Sequence, residues 1–434
     1  MTQTAHGSLW RDVRRDMVKN PAALTGMITL LVILIFCLTG QWWWRVDPNA
    51  LDLTQVSQAP NLGLRTTIIH PHTATNNIAP TVTQLQTLAP ANTEAVTLAW
   101  PSNTTTHFRL YRHILPPSGM QDLGLPLADI SVPAHEKTAQ YSDRLLLENR
   151  RYYYSLLTLN NDEKTQHYQT IRVDVAHATP LENLRQADLL RNADTYPETF
   201  LLPAHPFGTD KLGRDLLARL IEGGRTSLFI GFTAPLLYVF FGALYGALAG
   251  YRGGRTDTLM MAFADFIIAL PFLLFVILLR IAFGIGVGDS GITALVIALL
   301  LLSWPNTARL VRTQVLQLRK MAYVDAARLQ GASGFYIVWK HMLPNVMPSI
   351  LVTLSFAIPS AIFTEAFLSF LGLGVIPPAT SWGAMCNDGL STLLTHPHEL
   401  LFPAVFISVT VLAFNLVGDA LRDALDVQVR ESRA

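Results

Sequence analysis

The chain has 434 residues, is 50% hydrophobic and only 15% charged, and carries a formal net charge of +1 with a mean hydropathy of +0.31. Soluble globular proteins run at about 25% charged residues, so these figures exclude a disordered chain and argue against an ordinary soluble enzyme. The near-zero charge gives no basis for nucleic-acid binding. Two cysteines, Cys37 and Cys386, exclude a disulfide scaffold or a Cys-rich metal centre.

The apolar residues are concentrated. A helix crosses a bilayer with roughly 17–25 mostly apolar residues, and six runs qualify: Ala22–Trp44, Ser227–Gly250, Thr258–Leu279, Ile292–Ala308, Val346–Leu371 and Leu400–Gly418. The first follows Arg11, Arg14, Arg15 and Lys19 and ends in Trp42, Trp43 and Trp44. It is longer than a signal-peptide core of about 7–15 residues, and the tryptophans suit a headgroup-level belt, so it reads as an uncleaved anchor. With the N-terminus inside, fifteen Lys and Arg residues fall on the inner segments, among them Arg252, Arg255, Arg319, Lys320, Lys340, Arg422, Arg430 and Arg433. The short outer loops hold Arg280 alone. This asymmetry predicts both termini inside.

Between the first two spans, Arg45 to Thr226 is too long for an unstructured loop. It holds 16 basic and 18 acidic residues, a soluble composition inside a membrane protein. Val96–Trp100, Phe108–Arg112, Tyr152–Leu159 and Thr170–Val175 alternate as strands, and Asn160, Asn161 and Asp162 close one of them. An external domain is expected over 45–204, with a β-sandwich core at about 78–178. Trp100, the strand containing Tyr111, and Leu147 six residues before Tyr153 resemble a fibronectin type III module. That resemblance implies that Leu147 and Tyr153 form its tyrosine corner, although Asn149 replaces the usual Pro. Stretch 76–90 reads as a polar linker. His107, His113, His135, His167 and His177 lack metal-ligand spacing, and His70 and His72 around Pro71 read as exposed loop residues. No catalytic, cofactor or metal residues are assigned.

Next to the second span, Thr209 and Asp210 read as the cap of an amphipathic helix over 210–221, with Leu212, Leu216, Leu217 and Leu220 on one face, lying along the outer interface. Gly242, Gly246 and Gly250 stand four apart and predict a close helix-packing face. Asp265 and Glu365 are the two charges inside the spans. Each is costly in hydrocarbon, on the order of 2.5–3.5 kcal/mol at midplane, so both are expected to face the bundle interior, a polar cavity or an interface. The longest inner loop, 313–345, predicts a helix over 319–330, a break at Gly331–Gly334, and a second helix with Phe335, Val338, Trp339, Met342 and Leu343 on one face, closed by Pro344. Such a projection suits a partner's groove or a bilayer surface equally.

Asp325-Ala326-Ala327, then Gly331 and Ala332, then Leu343-Pro344, resemble the EAA loop of ATP-binding-cassette (ABC) importer permeases, with Asp in place of the first Glu. The stretches 207–221, Ser303-Trp304-Pro305, 365–374, Ser381-Trp382-Gly383 and 412–426 resemble the C-type permease of dipeptide and oligopeptide importers. The resemblance covers 1–44 loosely and 205–428 closely. It implies a polytopic α-helical permease fold of six transmembrane helices in the bacterial inner membrane, with a coupling loop that docks on an ATPase. It also implies two separate ATPase subunits that bind ATP and Mg, a second related permease, an external substrate-binding protein, and peptide cargo. Consistent with separate ATPases, none of the six lysines follows a glycine, as a G-K-[ST] phosphate loop requires. An ion-coupled secondary transporter with an external sensor domain is the alternative; it predicts inverted repeats, and no convincing repeat is visible.

Overall fold

The computed structural model describes residues 11, 13–69, 82–102, 107–133, 137–145, 147–159, 165–186, 199–283 and 290–425. His70, His72, His135, Asn160, Asn161, Asp162, Arg430, Arg433 and residues 76–81 of the expected 76–90 linker lie outside them; the rest of that stretch contains β2. In chain order the elements are α1 (Pro21–Trp43), β1 (Arg65–Ile69), β2 (Gln86–Thr87), β3 (Val96–Pro101), β4 (His107–His113), β5 (Ala128–Ser131), β6 (Thr138–Asp143), β7 (Arg151–Leu159), β8 (Thr165–Asp174), β9 (Ala178–Pro180), α2 (Leu181–Gln186) and β10 (Thr199–Leu201). There follow α3 (Leu216–Arg252), α4 (Gly254–Ile268), α5 (Phe272–Ala282), α6 (Ile292–Leu318), α7 (Ala322–Leu329), α8 (Gly334–Ile337), a π turn (Val338–Met342), α9 (Leu343–Phe370), α10 (Trp382–Leu390) and α11 (His398–Leu425). The chain divides into two units, one of residues 1–60 with 205–434 and one of Asn61–Ala204.

In the first unit five helices among the described residues are long and apolar enough to span a membrane: α1, α3, α6, the continuous Gly334–Phe370 and α11. The expected third span, Thr258–Leu279, is not one straight helix. α4 and α5 meet at 84°, because Pro271 has no N–H to continue the ladder and forces the residue before it out of helical geometry. The amphipathic helix expected over 210–221 is also corrected. Asp210 instead closes a turn, its Oδ1 accepting from Leu212 N at 2.9 Å and Arg214 N at 3.0 Å. Asp215 is the true cap, accepting from Ala218 N at 2.6 Å, and α3 runs unbroken for 37 residues, about 55 Å at the helical rise. Both cysteines are buried and free.

The expected domain start at residue 45 moves to 61, because residues 45–60 are tied to 205–219. Ser57 N donates to Asp210 O at 2.9 Å and Thr209 N to Gln58 O at 3.0 Å. Trp44 Nε1 reaches Asp215 Oδ1 at 2.9 Å. Gly208 and Gly213, at φ +82 and +73, pass directly over the carbonyls of Gln58 and Asp52, where a Cβ would collide.

The second unit is β-rich. Its sandwich pairs a sheet of order β2-β3-β6 with one of order β5-β4-β7-β8, and a third sheet of order β10-β1-β9 lies outside the expected 78–178 core. Alternation buries Trp100, Leu98, Leu110, Tyr152 and Tyr154 between the two sandwich sheets. Trp100 meets Phe108 edge-on at 5.6 Å. The tyrosine that anchors the β6–β7 connection is Tyr152, whose Oη accepts from Glu148 N at 3.1 Å, and not Tyr153. Strand period 2 turns Tyr152 and Tyr154 inward and their neighbour Tyr153 away. Asp143 is fully buried, held by Arg112 at 2.9 Å and by the Tyr154 hydroxyl at 2.7 Å. Among the described residues, no group of three His, Cys, Asp or Glu side chains is placed to hold a metal ion.

Candidate functional site

The segment from Lys320 to Pro344 leaves α6 and returns as α9. α7 ends in a Schellman turn: Ala332 N donates to Ala327 O and Gly331 N to Arg328 O, both at 3.0 Å. This places Gly331 at φ +81, a left-handed position that glycine fills without a Cβ penalty. Ser333 then caps α8 through Tyr336 N at 3.3 Å. Pro344 does not close a helix as expected. It sits in the first turn of α9, where its missing N–H costs little, and the chain is helical from Gly334 through the π turn to Phe370.

The expected single apolar stripe splits in two. Val324, Ala327, Ile337, Val338, Met342 and Leu343 face inward, packed with Ala243, Ala247, Ala308, Val311 and Val315 of α3 and α6. Phe335 and Trp339 face outward, stacked with ring planes 8° apart. Asp325, Ala326 and Gly331 are also outward, and Leu329 is 90% exposed. Ala332 and Pro344 are half-buried. Arg328 braces the outer edge, 3.4 Å from Asp325 Oδ1 and 5.4 Å over the Tyr251 ring. The loop thus stands on an apolar foot and presents a face of one carboxylate, small residues and exposed apolar side chains.

The three glycines meet α6. A Cβ at Gly242 would lie 2.5 Å from Trp304 O, one at Gly246 would collide with Ala308 O, and one at Gly250 would lie 2.9 Å from Arg312 O. The two intramembrane carboxylates have different surroundings. Glu365 on α9 is fully buried and accepts from Ser227 and Ser369 hydroxyls, each at 2.8 Å. The same hydroxyls accept from Trp382 N at 3.3 Å and Val375 N at 3.0 Å. Glu365 therefore joins α3, α9 and the start of α10. Asp265 on α4 pairs with Arg309 on α6, and both side chains are about half exposed.

One buried cluster escapes sequence reading. Asp210 Oδ2 binds Arg214 at 2.7 Å and Arg219 at 2.5 Å, and both guanidiniums continue to Asp388 Oδ2 at 3.1 and 2.9 Å. His205 Nδ1 meets Asp215 Oδ2 at 2.6 Å, and Gln55 Nε2 meets His205 Nε2 at 3.0 Å. The two networks fix the strap at 45–60, the start of α3 and the end of α10 to one another. Their signal in the sequence is the density of Asp and Arg in 210–219; the partners at 44, 55 and 388 are too distant in sequence to be read locally.

The chain is thus a helical membrane bundle with a helix–glycine–helix projection. Residues 242–431 match the family described as the binding-protein-dependent transport system inner membrane component, and residues 8–60 match the N-terminal TM domain of oligopeptide transport permease C. The chain is 48% identical to the oligopeptide transport system permease protein OppC of Bacillus subtilis over 242 residues, covering 56% of this chain and 76% of that protein. It is 45% identical to the dipeptide transport system permease protein DppC of the same organism, covering 58% and 75%. It is 43% identical to the glutathione transport system permease protein GsiD of Pectobacterium atrosepticum, covering 52% and 74%. The chain belongs to the family of binding-protein-dependent transport system inner membrane components. It is a multi-pass inner-membrane permease subunit of an ABC importer, served by separate ATPase and substrate-binding proteins.

Proposed function

We propose that this chain forms, with a second related permease, the translocation path for peptides delivered by an external binding protein. Peptide cargo is supported by the names of the relatives, two of which are peptide permeases at 45–48% identity. The observation that carries the coupling role is the outward face of Asp325, Ala326, Leu329 and Gly331 on an apolar foot set into α3 and α6. A groove on one of the two ATPase subunits receives this face, and the related permease serves the other. Movement of the ATPase pair on binding ATP and Mg is passed through the foot to the spans. Lys and Arg distribution supports termini on the ATPase side and the β-rich unit on the opposite, external side. The sheet orders of the sandwich and the Tyr152 corner support a fibronectin type III-like module.

The test uses the assembled importer. Ala326→Trp fills the outward face without touching the foot. It is expected to lower ATPase co-purification and ATP-driven peptide uptake at least ten-fold while the two permeases still co-purify. Unchanged values for both would remove the docking role.

A further inference from the structure

We propose that the Asp265–Arg309 pair lines the aqueous path and trades its own ion pair for the charged ends of a passing peptide; this rests on the peptide reading above. Arg309 Nη2 donates to Asp265 Oδ1, and the side chains remain 49% and 57% exposed. The other carboxylates of this region are covered: Glu365 is sealed by hydroxyls, and Asp257 is buried in a two-pronged pair with Arg312 at 2.5 and 2.6 Å. Asp265 lies eight residues beyond Asp257 on α4, about 12 Å further along the helix. Lipid is a poor neighbour for it, since charges at membrane depth are costly there and face the bundle interior or a water-filled cavity instead.

The chemistry fits a zwitterion. Asp265 accepts from a peptide ammonium, and the planar Arg309 guanidinium donates two parallel bonds to a terminal carboxylate. Because the resting pair is neutral overall, it holds neither end tightly, as a transit site requires.

The experiment uses the full importer in proteoliposomes with its binding protein. Trialanine, its N-acetyl form and its C-terminal amide are the cargoes. Asp265→Asn is expected to cut uptake of trialanine and the amide at least five-fold and to spare the N-acetyl form within two-fold. Arg309→Gln is expected to cut trialanine and the N-acetyl form and spare the amide. Asp265→Cys is expected to be modified by a charged, membrane-impermeant thiosulfonate in the assembled complex. Equal losses for all three cargoes show a merely structural pair, and no modification shows a face covered by the second permease or by lipid; either overturns the site. A wild type that hydrolyses ATP but carries none of the three overturns the peptide reading instead. Labelling then decides alone whether this face lines an aqueous path.

Discussion

Gly246 leaves room for the Ala308 carbonyl and nothing more. Filling that space with a methyl group forces α3 and α6 apart, and overpacking of this kind costs about 1–3 kcal/mol. Gly246→Ala is therefore expected to lower the thermal midpoint of the purified chain. Gly418→Ala, whose new methyl has as its nearest neighbours the Ser355 and Phe356 side chains at 3.2 Å and beyond, is expected to change it little. Glu365 gives a second comparison. Glu365→Leu strands the Ser227 and Ser369 hydroxyls, at roughly 1–3 kcal/mol for each unmet polar group. Glu365→Gln keeps the shape and an acceptor and is expected to remain closer to wild type in the same melt. The glycine spacing and the two carboxylates are legible in the sequence because each breaks an apolar run. Their partners are not, since Ser227, Ser369 and Ala308 are unremarkable residues until the helices meet.

Elements show where local signals compete. Pro271 and Pro344 look alike in sequence, as stops within apolar stretches. Pro271 bends the chain by 84°, while Pro344 is absorbed in a first turn behind a π turn. What separates them is the turn before each, and the reach of the preceding helix is set by packing on α3. The strands rich in β-branched and aromatic residues, β3, β4, β7 and β8, are legible; short β1, β9 and β10 are not, because they become strands only by pairing across more than a hundred residues. That third sheet carries a titrating contact. His177 is buried, its Nδ1 3.0 Å from Thr66 Oγ1, and burial holds its pKa below the ordinary 6.5. The neutral ring is the folded form, so below about pH 6.5 the unfolded chain binds the proton first and stability falls as pH falls. Protection factors of the β1 and β9 amides in the intact chain, taken against the intrinsic exchange rate at each pH, are expected to fall from pH 7 to pH 5. His177→Asn is expected to flatten that dependence.

At the scale of the whole molecule, the membrane unit and the β-rich unit have separate cores. The family models match residues 8–60 and 242–431, all in the first unit; the second, Asn61–Ala204, lies outside them. A chain lacking 61–204, with Pro60 joined to His205 by a short glycine linker, is expected to insert in the membrane and co-purify with its ATPase subunits. Loss of membrane insertion in that variant would show that the β-rich unit is needed for the bundle. Arg219→Met, which removes a centre of the Asp210–Asp388 network, is expected to harm the membrane unit more than that deletion does. Breaking a buried ion network from one side costs about 3–5 kcal/mol. The two-unit organisation is legible in the length, charge and strand alternation of the stretch after the first span, whereas the strap that joins 45–60 to 205–219 is hidden by a sequence separation of about 150 residues.

The strap has a genetic consequence. Where a chain departs and returns at one clasp, the intervening segment is a cassette: a single in-frame exchange of DNA can add, remove or replace it without rewriting a membrane helix. Because Gly208, Gly213 and the Trp44–Asp215 contact close the clasp from the permease side, a different module spliced between Pro60 and His205 inherits the same anchorage.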